Sequence, residues 1–324
     1  MELNPRMNQL VTVFGGSGFV GRHVIRALLK RGYRVRVAVR RTNVAAHILP
    51  SNWPGQVLPV PANVRVRPSV ENAVQGADAV INLVGILHES GRQRFDAVHG
   101  FGARAVARSA ADAGAARFVH VSAIGADPQS DSDYARSKAE GEAAVFEAVP
   151  GAVVFRPSVI FGPEDHFFNR FAAMARISPV LPLVGARTRF QPVFVGDVAE
   201  AVANAVDGTL RPGAVYELGG PEVRTLRELI ELMLVAVRRR RLVLDLPFGL
   251  ARPLAHVLQF VPGVPLTPDQ VRLLARDNVV SEAARQDGRT LEGMGIEPRS
   301  IEAVLPSYIW RFRRFGQYDL RTPA

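Results

Sequence analysis

A chain of 324 residues, 48% hydrophobic and 22% charged, has room for one large or two modest globular domains with a substantial core. It has no cysteine, which removes disulfides, thiol nucleophiles, iron–sulfur ligation and cysteine-based zinc sites. The net charge of +10 comes from arginines spread along the whole length; such a field suits a phosphate-bearing cofactor or an anionic membrane surface, while no dense basic stripe or binding module points to nucleic acid.

The N-terminus carries no signal-peptide core, and no apolar run is long enough to span a bilayer. The expected location is the cytoplasm, or the periphery of the inner face of the cytoplasmic membrane. The first apolar run, LVTVF (10–14), reads as a buried strand. It leads into VFGGSGFVG, which sets Gly15, Gly18 and Gly21 at G-x-x-G-x-x-G spacing. Glycines there permit a tight turn and close approach of a pyrophosphate, with the N–H groups and positive dipole end of the next helix facing it. The helix over 18–31 shows Val20, Val24 and Leu28 at four-residue steps, and Gly32 closes it.

YRVRVAVR (33–40) alternates as a second strand and ends in Arg40 and Arg41 with no acid nearby. An NAD site usually places Asp or Glu there for the ribose 2′-hydroxyl, whereas a guanidinium pairs with a 2′-phosphate. NADP(H) is therefore expected over NAD(H), unless both arginines simply face solvent. Further strands are predicted at 77–86, 117–125 and 152–162, with helices near 99–113 and 132–148. Strands alternating with helices predict an α/β fold: a doubly wound, Rossmann-type parallel sheet with helices on both faces.

The stretch DYARSK holds Tyr134 and, one helical turn on, Lys138; only two residues of the 40 basic ones, Lys30 and Lys138, are lysine. A free phenol ionises near pH about 10, so a neighbouring ammonium is expected to lower that value and to hold the nicotinamide ribose. Ser122, at the end of the strand before, can hydrogen-bond a substrate oxygen beside the tyrosine, or cap a backbone group. The chemistry would be hydride transfer to or from a carbonyl or alcohol, or a related epimerisation, with Tyr134 as general acid/base. His88 and His99 can border the crevice, although surface or capping roles are the more ordinary ones. The seven histidines are scattered, with no H-E-x-x-H, so no metal site is predicted.

Beyond residue 163 proline becomes frequent and the pattern less regular; VGDVAEAVANAV (195–206) and TLRELIELMLVAV (225–237) read as helices. The expected division is a nucleotide-binding domain over 8–165, with a return at 193–220, and a smaller, mostly helical substrate or partner domain over 166–192 and 221–320. YIWRFRRF (308–315) places Tyr308, Phe312 and Phe315 near one helical face among arginines, and LARPLAHVLQF (250–260) is similarly amphipathic. Either lies at a lipid headgroup surface or docks on its own domain.

Taken together, G15-G-S-G-F-V-G21, Ser122, Tyr134-A-R-S-Lys138 and R156-P-S-V-I-F-G-P163 resemble the extended and atypical short-chain dehydrogenase/reductases. Asp197 in VFVGDVAEAV stands where that group begins a helix near its substrate. YELGGPEVRTLRELI (216–230), LTPDQVRLLARDNVV (266–280) and SIEAVLPSYIWRFRRFG (300–316) resemble the subfamily named for the NADPH-binding accessory subunit of respiratory complex I and its bacterial relatives.

The resemblance implies cofactor contacts from Gly15, Ser17, Gly18, Phe19, Val20, Gly21, Arg40, Arg41, Asn63, Val64, Val84, Gly85, Tyr134, Lys138, Pro157 and Val159, and a catalytic set of Ser122, Tyr134 and Lys138. It also implies a second role, a non-catalytic accessory or assembly subunit of complex I that keeps NADPH as a structural element. Two departures stand out: His99 replaces the asparagine that completes the family's catalytic tetrad, and Asn63 replaces an aspartate that contacts adenine.

Overall fold

LVTVF forms β1 (Leu10–Phe14), and Val11, Thr12, Val13 and Phe14 are all buried, so the strand is covered on both faces. Continuous apolar runs of this kind belong to parallel sheets flanked by helices. The computed structural model describes residues 5–43, 55–258 and 267–318. Around β1 it arranges β2 (Arg34–Val39), β3 (Val57–Pro61), β4 (Ala79–Asn82), β5 (Arg117–Val121), β6 (Val153–Pro157) and β11 (Val215–Leu218), in the order β11-β6-β5-β4-β1-β2-β3. Every pairing is parallel. The strand order reverses between β1 and β4, and in open sheets the carboxyl ends of the strands at such a switch point line the ligand crevice.

The helices that join these strands are α1 (Phe19–Lys30), α2 (Arg67–Val74), α3 (Phe101–Asp112), α4 (Asp133–Ala148) and α6 (Val195–Asp207). α2 and α3 share a core of small side chains, Ala73, Ala103, Val106, Ala107 and Ala110, with Phe14, Val80 and Val154 of the sheet. Small residues let the chain pack close: a Cβ on Gly102 would come 3.0 Å from Val64, in the turn between β3 and α2. Asp207, at the end of α6, accepts from Tyr33 Oη and from Arg31, both at 2.6 Å, fastening that helix beside the start of β2.

Two compact units result. The first takes 5–157, 196–218 and 283–296, the second 158–195, 219–282 and 297–318 among the described residues. The visit by 283–296 is not apparent in the sequence pattern. It is anchored by Arg289, which donates to the Val215 carbonyl at 2.6 Å and whose own carbonyl accepts from Glu217 N–H at 3.0 Å. The apolar run 152–162 also divides, because β7 (Ile160–Phe161) pairs with β10 (Val193–Phe194) in the second unit and not with the large sheet.

In the second unit β8 (Val180–Val184) pairs with β13 (Leu242–Leu246), and β9 (Arg189–Phe190) with β12 (Arg224–Thr225). Its core gathers Phe161, Phe168, Leu181 and Leu183 around α5 (Phe168–Ile177) and α7 (Leu226–Ala236). α7 starts on a capping box in which Thr225 and Glu228 satisfy each other's backbone N–H groups. α8 (Phe248–Leu258) covers most of the amphipathic segment near 250–260, whose last two residues lie outside the described ones; it buries Ala251 and Ala255.

The tail differs from the single amphipathic helix expected over 308–315. After α9 (Pro268–Leu273), α10 (Glu282–Gln286), α11 (Ile301–Val304) and α12 (Pro306–Ile309), the chain continues in short 3-10 turns. Tyr308 is buried and donates to Asp165 at 2.7 Å, and Phe312 packs on the core, so of the three rings only Phe315 faces solvent. The tail docks on its own unit. Among the described residues no helix is long and apolar enough to cross a membrane.

Candidate nucleotide-binding and catalytic site

The loop between β1 and α1 is built for close backbone approach. Gly15 takes φ 79°, in the left-handed region, and a Cβ there would come 3.1 Å from the Leu83 carbonyl carbon at the end of β4. A Cβ on Gly21 would fall 2.4 Å from the Gly15 oxygen, a contact with backbone that cannot yield. Gly18 is the N-cap of α1, no side chain caps the helix and no acid sits in its first turn. The first-turn N–H groups and the positive dipole end are thus left to an anion. Gly18 is exposed, Ser17, Phe19 and Val20 are half-buried around the turn, and Gly21 is buried.

Arg40 and Arg41 follow β2 at its carboxyl end, and both are exposed. Asn63, beyond β3, turns its Oδ1 onto Arg65 N–H at 3.1 Å and its backbone N–H onto Ser69 Oγ at 3.0 Å, while Val64 is buried in the core beside Gly102. After β4 the chain runs through Val84, whose N–H is held by Asn82 Oδ1 at 3.1 Å, to exposed Gly85. A Cβ on Gly85 would meet Lys138 Nζ at 3.3 Å and His99 Nε2 at 3.6 Å, so this bare position sits directly over the lysine and the histidine of the site.

Ser122 follows β5. Its N–H donates to the Phe155 carbonyl at 2.7 Å, which fixes its backbone against β6. Its Oγ is buried and has no partner among the described residues. The capping role considered for it is therefore absent, and a buried hydroxyl left unpaired at a strand's carboxyl end is an unmet donor and acceptor.

α4 begins on Ser132, whose Oγ accepts from Ala135 N–H at 3.2 Å, and its alanine-rich first turns present Tyr134 and Lys138 on one face. Tyr134 is half-buried, its ring edge-on to Phe95 at 5.8 Å and to His99 at 5.5 Å. Lys138 is buried, donates to the Val121 carbonyl at 3.3 Å, and stands 6.0 Å from the centre of the Tyr134 ring.

Here the electrostatics overturn one expectation. Burial, not the ammonium, governs the phenol, and Tyr134 is pushed up to about 12 instead of down. Burial also brings Lys138 down to about 8, opposed by the carboxylate of Glu142 one turn on. Glu142 is itself held by Arg156 in a two-pronged pair, at 2.9 and 2.6 Å. At neutral pH the site thus offers a protonated phenol next to an ammonium.

His99 is a wall of this site. It stands in a wide π-turn, Asp96–Gly100, that precedes α3, a distortion common beside functional sites. Its Nε2 accepts from Ile86 N–H at 3.0 Å, so the ring proton is on Nδ1 and faces Ser137 Oγ at 2.9 Å. Ser137 in turn donates to the Tyr134 carbonyl at 2.7 Å. Burial first, then Lys138 and His120, hold His99 down to about 2, so it is neutral. This neutral imidazole ties the Gly85–Ile86 turn to α4. His88, by contrast, is exposed. Sequence spacing gives no sign of the His99–Ser137 link, because 38 residues separate the partners.

The remaining expected contacts divide between the units. Pro157, buried at the end of β6, accepts from Ile124 N–H at 3.0 Å in the first unit; Val159 belongs to the second, where its carbonyl accepts from Val193 N–H at 3.0 Å. Asp197 is buried in the first turn of α6. An open hollow of about 350 Å³, lined by Arg211, Tyr216, Asp287 and Arg289, lies at the amino end of β11, away from the crevice. No group of side chains suited to a metal ion occurs among the described residues.

Comparison with known proteins agrees with this construction. The pattern of the NAD-dependent epimerase/dehydratase family matches residues 11–219. The NADH dehydrogenase [ubiquinone] 1 alpha subcomplex subunit 9 of Arabidopsis thaliana mitochondria is 33% identical over 320 residues, 95% of this chain and 79% of that protein. A ceramide reductase of Caulobacter vibrioides is 37% identical over 191 residues, 59% of this chain and 58% of that one. Among solved structures, the NADPH-dependent quinone oxidoreductase QOR2 of Escherichia coli, complexed with NADPH, superposes with a TM-score of 0.71 at 18% identity, over 92% of this chain and 99% of that one. A glycine turn at an uncapped helix, a switch-point crevice and a tyrosine–lysine pair, together with these matches over most of the chain, make it a member of the NAD-dependent epimerase/dehydratase family, within the extended short-chain dehydrogenase/reductases.

Proposed function

We propose that the first unit binds NADP(H) and that Ser122, Tyr134 and Lys138 carry out hydride transfer between that cofactor and a carbonyl or alcohol. The observation that carries this reading is the unpaired, buried Oγ of Ser122 in a site whose tyrosine remains partly open. Such a hydroxyl costs about 1–3 kcal/mol unless a ligand completes it. Gly15, Gly18 and Gly21 leave room for the pyrophosphate at the start of α1, and two exposed arginines after β2, Arg40 and Arg41, support a 2′-phosphate on the adenosine ribose.

When bound, the reduced nicotinamide supplies the hydride. In the reducing direction Tyr134 gives its proton to the substrate oxygen, and a phenol held at about 12 is fully protonated and able to do so. Ser122 Oγ donates to the same oxygen. Lys138 supports the phenolate left behind and holds a ribose hydroxyl. His99, neutral and fixed by Ile86 and Ser137, keeps the Gly85 turn in place against Lys138.

A second reading has its own support: the Arabidopsis relative that matches 95% of this chain is named as a subunit of a respiratory complex. In that role the same residues would hold NADPH without turnover, and the partners would be complex I subunits. Native mass spectrometry of the purified protein, followed by single-turnover oxidation of any retained nucleotide with a panel of ketones, aldehydes and quinones, separates the two. Catalysis predicts oxidation that Tyr134→Phe slows by about 10²–10⁴-fold while nucleotide affinity is largely kept. A retained NADPH that no acceptor oxidises, together with co-purification with complex I subunits, overturns the catalytic reading.

A further inference from the structure

Three chain ends of the second unit meet at one place. α5 finishes in Arg176 and Ile177, α7 runs past Ala236 through four successive arginines into β13, and the C-terminal turns carry Arg313, Arg314 and Phe315. Arg241 Nε donates to the Ala175 carbonyl at 2.7 Å, Arg239 Nε to the Phe312 carbonyl at 3.1 Å, and Arg313 Nε to the Ala236 carbonyl at 2.9 Å. Burial first, then the charges of Arg241, Arg176 and Arg314, bring the Arg239 guanidinium below its usual range, so these positive groups share one patch. No acidic residue occurs in 166–196, 232–244 or 303–318. At the turn Arg238 takes φ 56°, a left-handed position where glycine is the default. An arginine is kept there at a conformational cost.

Large apolar side chains stand in the open on these same elements. Ile177 is 88% exposed, Val235 67%, Leu242 64% and Phe315 51%. Leu242 N–H donates to the Pro179 carbonyl at 3.0 Å, which places it beside the end of α5, and the Arg314 guanidinium lies 5.5 Å from the centre of the Phe315 ring. Scattered exposed apolar residues are ordinary. Four on elements that converge on an arginine cluster form an amphipathic surface, with cations for headgroup phosphates and apolar tips for the acyl boundary. A symmetric contact with a second copy would set the arginine cluster against itself. Nucleic acid would match the charge and leave the apolar tips unused.

We propose that this patch docks the protein on the surface of an anionic lipid bilayer. It lies wholly in the second unit and does not depend on the nucleotide reading.

The test is flotation of the full chain with vesicles of phosphatidylcholine alone and of phosphatidylcholine mixed with phosphatidylglycerol. Binding is expected only with the anionic vesicles. The pair Arg176→Glu/Arg314→Glu should weaken it about a hundredfold. The pair Ile177→Ser/Leu242→Ser should weaken it about tenfold and make the remainder vanish as salt shortens the Debye length from about 10 to about 3 Å, whereas wild type keeps part of its binding. All four side chains are exposed, so melting temperature should not change; should a variant unfold, the wild-type dependence on phosphatidylglycerol and salt decides. Equal flotation with neutral vesicles, no flotation, or indifference to either pair overturns the proposal. So does a duplex oligonucleotide bound in place of vesicles, or a dimer that the variants dissolve.

Discussion

Replacing Lys138 with methionine should make the nucleotide-free protein more stable at neutral pH while weakening nucleotide binding. Lys138 is buried, and its fall from 10.5 to about 8 corresponds to roughly 3 kcal/mol of unfavourable ammonium burial in the folded state. Methionine fills nearly the same space without the charge, but it abandons the 3.3 Å bond to the Val121 carbonyl, at a cost of about 1 kcal/mol. Glu142 keeps Arg156, so no second orphan is created. The net gain is about 2 kcal/mol, roughly 4 °C in melting temperature.

The pH dependence fixes the cause. Below about 8 the lysine is charged in both folded and unfolded chains, so wild type carries the whole penalty. Between about 8 and 10.5 the folded state sheds its proton first, wild type recovers, and the advantage of Lys138→Met shrinks; above that window it is gone. The assay is urea unfolding of both proteins without nucleotide across that range, with an NADPH titration beside it. A variant less stable than wild type at pH about 7, or an advantage that persists undiminished at pH about 10, refutes the argument.

Arg40→Asp should lower NADPH affinity about 10–100-fold and leave NADH binding nearly unchanged, read by titrating the fluorescence of each; an unchanged preference removes the 2′-phosphate argument. Ser122→Ala should stabilise the nucleotide-free protein by about 1–3 kcal/mol, because its buried Oγ has no partner to lose, yet slow any turnover; a fall in melting temperature would reveal a hidden bond. Tyr308→Phe should destabilise the second unit by about 1–2 kcal/mol in thermal unfolding, since Asp165 Oδ2 loses its hydroxyl donor at 2.7 Å and keeps only Gly162 N–H at 3.1 Å.

The parts of the fold that local pattern controls were legible in the sequence. LVTVF, the glycine spacing and the four-residue stripe of α1 report burial and turn geometry within a few residues, and they locate the switch-point crevice. The Tyr134–Lys138 pair was visible for the same reason, one helical turn. The phenol's acidity was not, because it depends on how much of the site's wall is protein, and that wall comes from Phe95 and His99 far along the chain. His99 looks like an unremarkable histidine until Ile86 and Ser137 are brought to its two nitrogens. Periodicity could not choose between lipid and protein for Tyr308, because it cannot see Asp165, 143 residues earlier, waiting for its hydroxyl. β3 escaped notice because its sequence, VLPVP, carries two prolines, tolerable at the sheet's edge.

The three visits that the chain pays to its first unit have a consequence for synthesis. On the ribosome, β6 emerges with one side unmated, and its neighbour β11 arrives only at 215–218, with the clamp of 283–296 later still. Until then VVFRP is an apolar strand edge of the kind that recruits foreign strands. A fragment stopped at 157 should therefore clump rather than bind nucleotide, and maturation of the dinucleotide fold must wait for most of its companion unit to be translated.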